Sequence, residues 1–147
     1  VATADRRAEA TWEGPLTTGS GRVVLASSEA GEFPVTWASR VEDPAGRTSP
    51  EELVAAAHAS CYAMAFSAVL ARADTPPERL EVTATVSLNP KEGGGVEVTD
   101  SKLVVRGVVP GLDQAGFQEA AEKGEQGCPI SNAIRGNVRI TLEATLA

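Results

Sequence analysis

TSPEELVAAAHASCYAMAFSAVLARA, from Thr48 to Ala73, holds one of the two cysteines of the chain. It carries no Asp, Glu, Lys or Arg between Leu53 and Ala71. Its beginning is a helix start signal. Ser49 can cap, Pro50 suits the first helical position, and Glu52 stands three residues after Ser49, as a capping box requires. Pro76 and Pro77 stop it, so the pattern predicts a helix from Pro50 to about Arg72. A helix that is apolar nearly all round is either a membrane span or the buried centre of a globular fold. The segment from Val54 to Ala71 is short for a hydrocarbon layer of about 30 Å. It is mostly alanine, broken by His58, Ser60 and Ser67, and lacks a basic flank. It reads as a core helix buried on most faces, with the thiol of Cys61 at its centre.

The neighbouring segments read as strands. Ala8, Ala10 and Trp12 alternate with polar residues, GPLTTGSG (Gly14 to Gly21) is turn chemistry, and RVVLA (Arg22 to Ala26) returns, giving a hairpin. FPVTW (Phe33 to Trp37) is a third strand, followed by a loop from Val41 to Arg47. Leu80 to Leu88 alternates as a strand, KEGGG (Lys91 to Gly95) turns, and Val96 to Val109 forms a long strand with a bulge near Asp100. Leu112 to Lys123 is an amphipathic helix that Gly124 to Gly127 breaks. Cys128 and Pro129 start a short helix to about Ile134, and Val138 to Ala144 alternates as the last strand. Strands and a few helices without a repeat or a linker give a single α+β domain over residues 1–147.

Composition narrows the function. The chain of 147 residues is 42% hydrophobic and 22% charged, which are globular values. Aromatics are 4%, so aliphatic side chains must build the core. A net charge of −7 argues against nucleic acid as a partner, and no basic amphipathic helix addresses an anionic membrane. Val1 to Trp12 contains Asp5, Arg6, Arg7 and Glu9 and no apolar run, so no signal peptide is expected and a cytoplasmic location is. Stable structural disulfides are rare there, which leaves the two cysteines free, metal-bound or redox-active.

Cys61 and Cys128 are 67 positions apart, neither a C-x-x-C pair nor half of a zinc finger. With one histidine in the chain, a closed zinc site would need unusual ligands. On the residues alone, Cys61 in an alanine-rich helix reads as a small inert core hydrophobe, with a reactive thiol as the alternative. Cys128 would cap the helix that Pro129 begins, and the free N–H groups there favour a thiolate. His58 lies three residues before Cys61 on about the same face. It suits a Cys–His pair or a buried neutral imidazole with its own hydrogen bonds. Arg40 alone reads as a surface charge, and Glu51 and Glu52 as ordinary helix-start carboxylates.

TSPEELVAAAHASCYAMAFS (Thr48 to Ser67) followed by GCPISNAI (Gly127 to Ile134) resembles the OsmC/Ohr peroxidases, the osmotically inducible protein C and organic hydroperoxide resistance families. AEATWEG (Ala8 to Gly14), VVPGLD (Val108 to Asp113) and the closing strand are also similar, and AHASC (Ala57 to Cys61) resembles the OsmC branch. The resemblance implies antiparallel sheets wrapped around a long, buried, cysteine-bearing helix in an intertwined homodimer. It implies a thiol peroxidase acting on organic hydroperoxides and, more weakly, on hydrogen peroxide. Cys61 would be the peroxidatic residue, Cys128 the resolving one, Arg40 the active-site arginine and Glu51 its carboxylate partner. No bound cofactor or metal is implied. The reductant would be an external dithiol, a dihydrolipoyl group free or on a lipoylated protein. Glu51 and Cys61 are ten positions apart on one helix, about 15 Å along its axis. One arginine does not easily span that, so Glu51 is expected to come from a second subunit.

Overall fold

The computed structural model describes residues 2–147. The chain forms two compact units, one ending at Leu53 and the other running from Val54 to Ala147.

The first unit contains β1 (Glu9–Glu13), β2 (Ser20–Val24) and β3 (Glu32–Val35), an antiparallel sheet in the order β1-β2-β3. Trp12 stands opposite Gly21, where a Cβ would lie 2.6 Å from the indole. The missing side chain is what lets the ring lie across β2. The sequence reading carries β3 on to Trp37, but the strand ends at Val35 and a short helix, α1 (Trp37–Val41), begins. Thr36 decides this. Its Oγ1 accepts from the Ser39 N–H and its own N–H donates to Ser39 Oγ, both at 3.0 Å. That reciprocal box satisfies two free donors at once and overrides the strand preference of the aromatic and β-branched residues. The buried Ser39 hydroxyl also donates to the Thr48 carbonyl at 2.8 Å, and the Thr48 N–H donates to the Pro34 carbonyl at 2.9 Å. These bonds fasten α1 to the start of α2 (Pro50–Arg72). Ser49 caps α2, its Oγ accepting from the Glu52 N–H at 3.2 Å. The return half of the expected box is replaced, because the Glu52 carboxylate accepts from the Thr48 hydroxyl at 2.7 Å.

The second unit is a sheet of β4 (Arg79–Pro90), β5 (Val96–Val108) and β6 (Arg139–Leu146), in the order β4-β5-β6. β4 and β5 are antiparallel, and Thr99 is the extra residue of the bulge, since Ser87 pairs with Asp100 and Leu88 with Val98. β6 runs parallel to β5, which corrects the expectation of purely antiparallel sheets. The connection between them carries two helices, the kind of crossover that parallel neighbours need. These are α3 (Gln114–Gln126), capped by Asp113, and α4 (Pro129–Ile134), capped by Cys128. α3 does not break at Gly124. That glycine stays helical and sits against α2, where an added Cβ would lie 3.0 Å from both Cα and Cβ of Phe66.

The core of this unit explains the spacing in α2. His58, Tyr62, Phe66 and Leu70, every fourth residue, are fully buried. Leu103 and Val105 of β5 and Phe117 and Ala121 of α3 meet them. The Phe66 and Phe117 rings lie 5.1 Å apart, and the Tyr62 hydroxyl donates to the Ala121 carbonyl at 3.1 Å. Truncating Phe66 to alanine would cost about 3–5 kcal/mol. Within one chain α2 is not buried on most faces. Only 22% of its apolar stretch is buried, and Met64 is 68% exposed. One chain supplies neighbours for a single stripe of the helix.

Candidate active site

Two polar constellations stand out, one in each unit. In the first, α1 carries Arg40 and the opening turn of α2 carries Glu51. Arg40 Nε lies 3.1 Å from each Glu51 carboxylate oxygen, and Arg40 Nη2 is 2.8 Å from Oε1. This two-point contact fixes the plane of the guanidinium. The Glu51 side chain is 9% exposed and that of Arg40 29%, so the carboxylate is the anchored partner and the arginine reaches outward. Nη1 has no hydrogen-bond partner among the described residues. The guanidinium also sits 5.7 Å from the centre of the Trp37 ring, a cation–π distance. Beside it opens a cavity of about 300 Å³ lined by Trp12, Leu16, Val35, Trp37, Arg40 and Pro50. Its walls are apolar and aromatic, with one cation. Of the two helix-start acids it is Glu51 that meets Arg40, since Glu52 turns to Thr48. Sequence reasoning sends Glu51 alone to a second subunit. The structure binds it to Arg40 of its own chain, so the two residues can serve another copy only as a pair.

In the second unit, Cys61 of α2 and Cys128 at the cap of α4 are both free thiols, near enough for Cys128 to act on the Cys61 thiol. Cys128 is fully buried and Cys61 partly so. The first turn of α4 explains the arrangement. Pro129 has no N–H, so Ile130 and Ser131 supply the free donors of that turn. The Ser131 N–H points at Cys128 Sγ, 3.5 Å away, and the Ile130 N–H hydrogen-bonds to Cys61. Each free donor takes one sulfur. Burial pushes the Cys61 thiol above its ordinary range; the Ile130 N–H pulls it down, and Cys128 pushes it up again. No cation is among the groups acting on it.

His58 lies one turn before Cys61 and is fully buried. Its Nδ1 is 2.6 Å from Ser101 Oγ on β5, and its Nε2 is 2.7 Å from Ser131 Oγ on α4. Both nitrogens are occupied, so neither is left to take a proton from Cys61. Burial holds its pKa below the ordinary value, against a pull upward from Glu125 and with a push downward from Arg135. The ring is neutral, and one nitrogen donates while the other accepts. Sequence reasoning missed Ser101 and Ser131. Ser131 was the findable one, since it stands three residues after the cap, where a capping partner belongs.

Comparison with known proteins places this geometry in context. The family model described as OsmC-like protein matches residues 43–143. Over 138 residues the chain is 35% identical to Peroxiredoxin OsmC of Escherichia coli (strain K12), covering 94% of this chain and 95% of that protein. It is 39% identical over 97 residues to the Organic hydroperoxide resistance protein of Xanthomonas axonopodis pv. citri (strain 306), covering 65% of each. The crystal structure of the Organic Hydroperoxide Resistance Protein OhrB of Bacillus subtilis superposes with a TM-score of 0.74 at 29% identity, covering 95% of this chain and 98% of that one.

Proposed function

The chain belongs to the OsmC-like protein family, and from that premise we propose that it is a cysteine peroxidase reducing organic hydroperoxides to alcohols. The observation that carries the reading is the pair of contacting thiols, Cys61 and Cys128, sharing the two free donors at the start of α4.

The Cys61 thiolate attacks one oxygen of the hydroperoxide. The O–O bond breaks, the other oxygen leaves as alkoxide and takes a proton, and Cys61 becomes a sulfenic acid. Cys128 sulfur then attacks the Cys61 sulfur and water leaves, which forms the Cys61–Cys128 disulfide. A dithiol such as a dihydrolipoyl group, free or on a lipoylated protein, delivers two electrons and two protons and restores both thiols. Cys61 must ionise for the first step, yet burial opposes this. The Arg40 guanidinium is the cation that offsets that cost and steadies the charge developing on the peroxide oxygens. Glu51 keeps it oriented, and its unpartnered Nη1 is the edge left for sulfur and peroxide. The apolar cavity beside Arg40 suits a hydrocarbon tail better than hydrogen peroxide, which is the weaker substrate.

The functional unit is a homodimer in which the Arg40–Glu51 pair of one copy serves the cysteines of the other. Two features support this. Glu51 and Cys61 are about 15 Å apart along the axis of α2. The helix also leaves an apolar face, with Met64 at 68% exposure, that a second copy would cover. A fully active monomer in sedimentation would refute the dimer.

The test is anaerobic. Reduced protein receives one equivalent of cumene hydroperoxide, and free thiols are counted alongside an intact mass. Loss of both thiols with a mass drop of about two hydrogens identifies the peroxidatic pair. Retention of both thiols rejects the peroxidase and leaves a shared fold without the activity.

A further inference from the structure

We infer that His58 is a positioning residue for disulfide formation: through Ser131 it holds α4 so that the Cys128 sulfur faces Cys61. This rests on the peroxidase reading above and adds a residue to it.

α4 has six residues, too few to be stable as an isolated helix, so its placement must come from tertiary contacts. Among them, the link to His58 is buried and directional. His58, Ser101 and Ser131 are each at most 1% exposed, and the two hydrogen bonds of 2.6 and 2.7 Å join α2, β5 and α4 through one ring. Ser131 works in two directions. Its hydroxyl meets His58 Nε2, while its backbone N–H donates to Cys128 Sγ. The sulfur of Cys128 is therefore referenced to His58, and His58 stands on the same helix as Cys61, three residues away. A neutral imidazole suits the task, because its two nitrogens point in different directions and form one donor and one acceptor. With both nitrogens engaged, the ring cannot also serve as the base for Cys61.

The position of Cys128 matters because the Cys61 sulfenic acid has two fates. It condenses with the Cys128 thiol, releasing water and giving the disulfide. Otherwise it reduces a second hydroperoxide, gains that oxygen and becomes a sulfinic acid, while the hydroperoxide leaves as alcohol. Condensation within the molecule depends steeply on geometry, and a displacement of about 1 Å can cost on the order of 100-fold. The second reaction does not need Cys128 at all. The quantity that reports on the clamp is thus the ratio of disulfide to sulfinic acid per oxidised Cys61, which general loss of stability does not move while the protein is folded.

Reduced wild-type protein and the variants Ser131→Ala, Ser131→Thr, Ser101→Ala and His58→Leu would be mixed with a tenfold excess of cumene hydroperoxide, quenched in acid and weighed intact. A cooperative melt confirms that each variant is folded. The expected result is a ratio at least tenfold lower in Ser131→Ala, with a product about 32 mass units heavier replacing the disulfide. Ser131→Thr keeps a hydroxyl and should recover most of the ratio. Ser101→Ala leaves the link to α4 in place and should fall less than Ser131→Ala. Folded His58→Leu should match Ser131→Ala; should it fail to fold, the serine series decides alone. A wild-type ratio in folded Ser131→Ala overturns the positioning role while leaving the peroxidase intact. If wild-type protein loses no Cys61 thiol, the peroxidase reading fails and this inference falls with it.

Discussion

The arginine constellation and the cysteine constellation are built on opposite principles. Arg40 and Glu51 form an ion pair whose arginine reaches toward solvent, set by the caps of two helices. Cys128 is fully buried and Cys61 partly so; burial pushes the Cys61 thiol up, and no cation is among the groups acting on it. The first has charge and no nucleophile. The second has a thiol, Cys61, whose surroundings oppose its ionisation. Burial that opposes ionisation protects a thiol from casual oxidation, because the thiolate is the reactive form. On the peroxidase reading proposed above, reactivity is conditional on the cation of the first reaching the thiol of the second.

The largest effect that tests this division is Cys61→Ser, which should reduce hydroperoxide consumption to the blank rate in a coupled dithiol assay. Activity left above blank would move the nucleophile elsewhere. Arg40→Ala should lower kcat/KM by on the order of 100-fold and shift the alkylation profile of Cys61 to higher pH. An unchanged profile would mean that another cation, such as Arg47, charges the thiol. Co-expressing these two impaired variants sharpens the comparison. Hybrid dimers with one intact site should restore part of the activity, whereas none would return if both constellations of one chain serve each other.

A smaller effect is expected from Thr36→Ala, which removes the cap of α1. It should cost about 1 kcal/mol in a urea titration and loosen the helix that carries Arg40. Unchanged stability would show that Ser39 and Thr48 suffice to hold α1.

The smallest effect concerns pH. The folded-state pKa of His58 lies below its ordinary 6.5, so the unfolded chain takes up the proton first. The stability tied to the neutral ring is complete above 6.5 and is lost as pH falls through the depressed value. Urea midpoints of wild type and His58→Gln should therefore converge on acidification from about pH 7 to pH 5. Parallel curves would place the acid sensitivity in other groups.

How much of this was legible in the sequence depended on the range of the forces involved. The starts of α2 and α4 are written in adjacent residues, Ser49-Pro50 and Cys128-Pro129, and both were readable. So was the bulge near Asp100. α1 was missed although its signal is local, because Phe33, Val35 and Trp37 favour a strand and the Thr36–Ser39 box outweighs them. The direction of β6 was missed because pairing direction depends on how α3 and α4 return the chain. The alternative chosen for His58 could not be decided from sequence, since its partners lie 43 and 73 positions away. The pairing of Arg40 with Glu51 came from family resemblance; spacing alone would have left Arg40 a surface charge.

Gly124 acts as a gauge block. The chain runs from it through Gly127 directly to Cys128, and its bare Cα rests against Phe66 on the helix that bears Cys61. A side chain at that one place would press α3 away from α2, and Cys128 follows two residues after the end of α3. The spacing of two helices in this molecule rests on an atom that is not there.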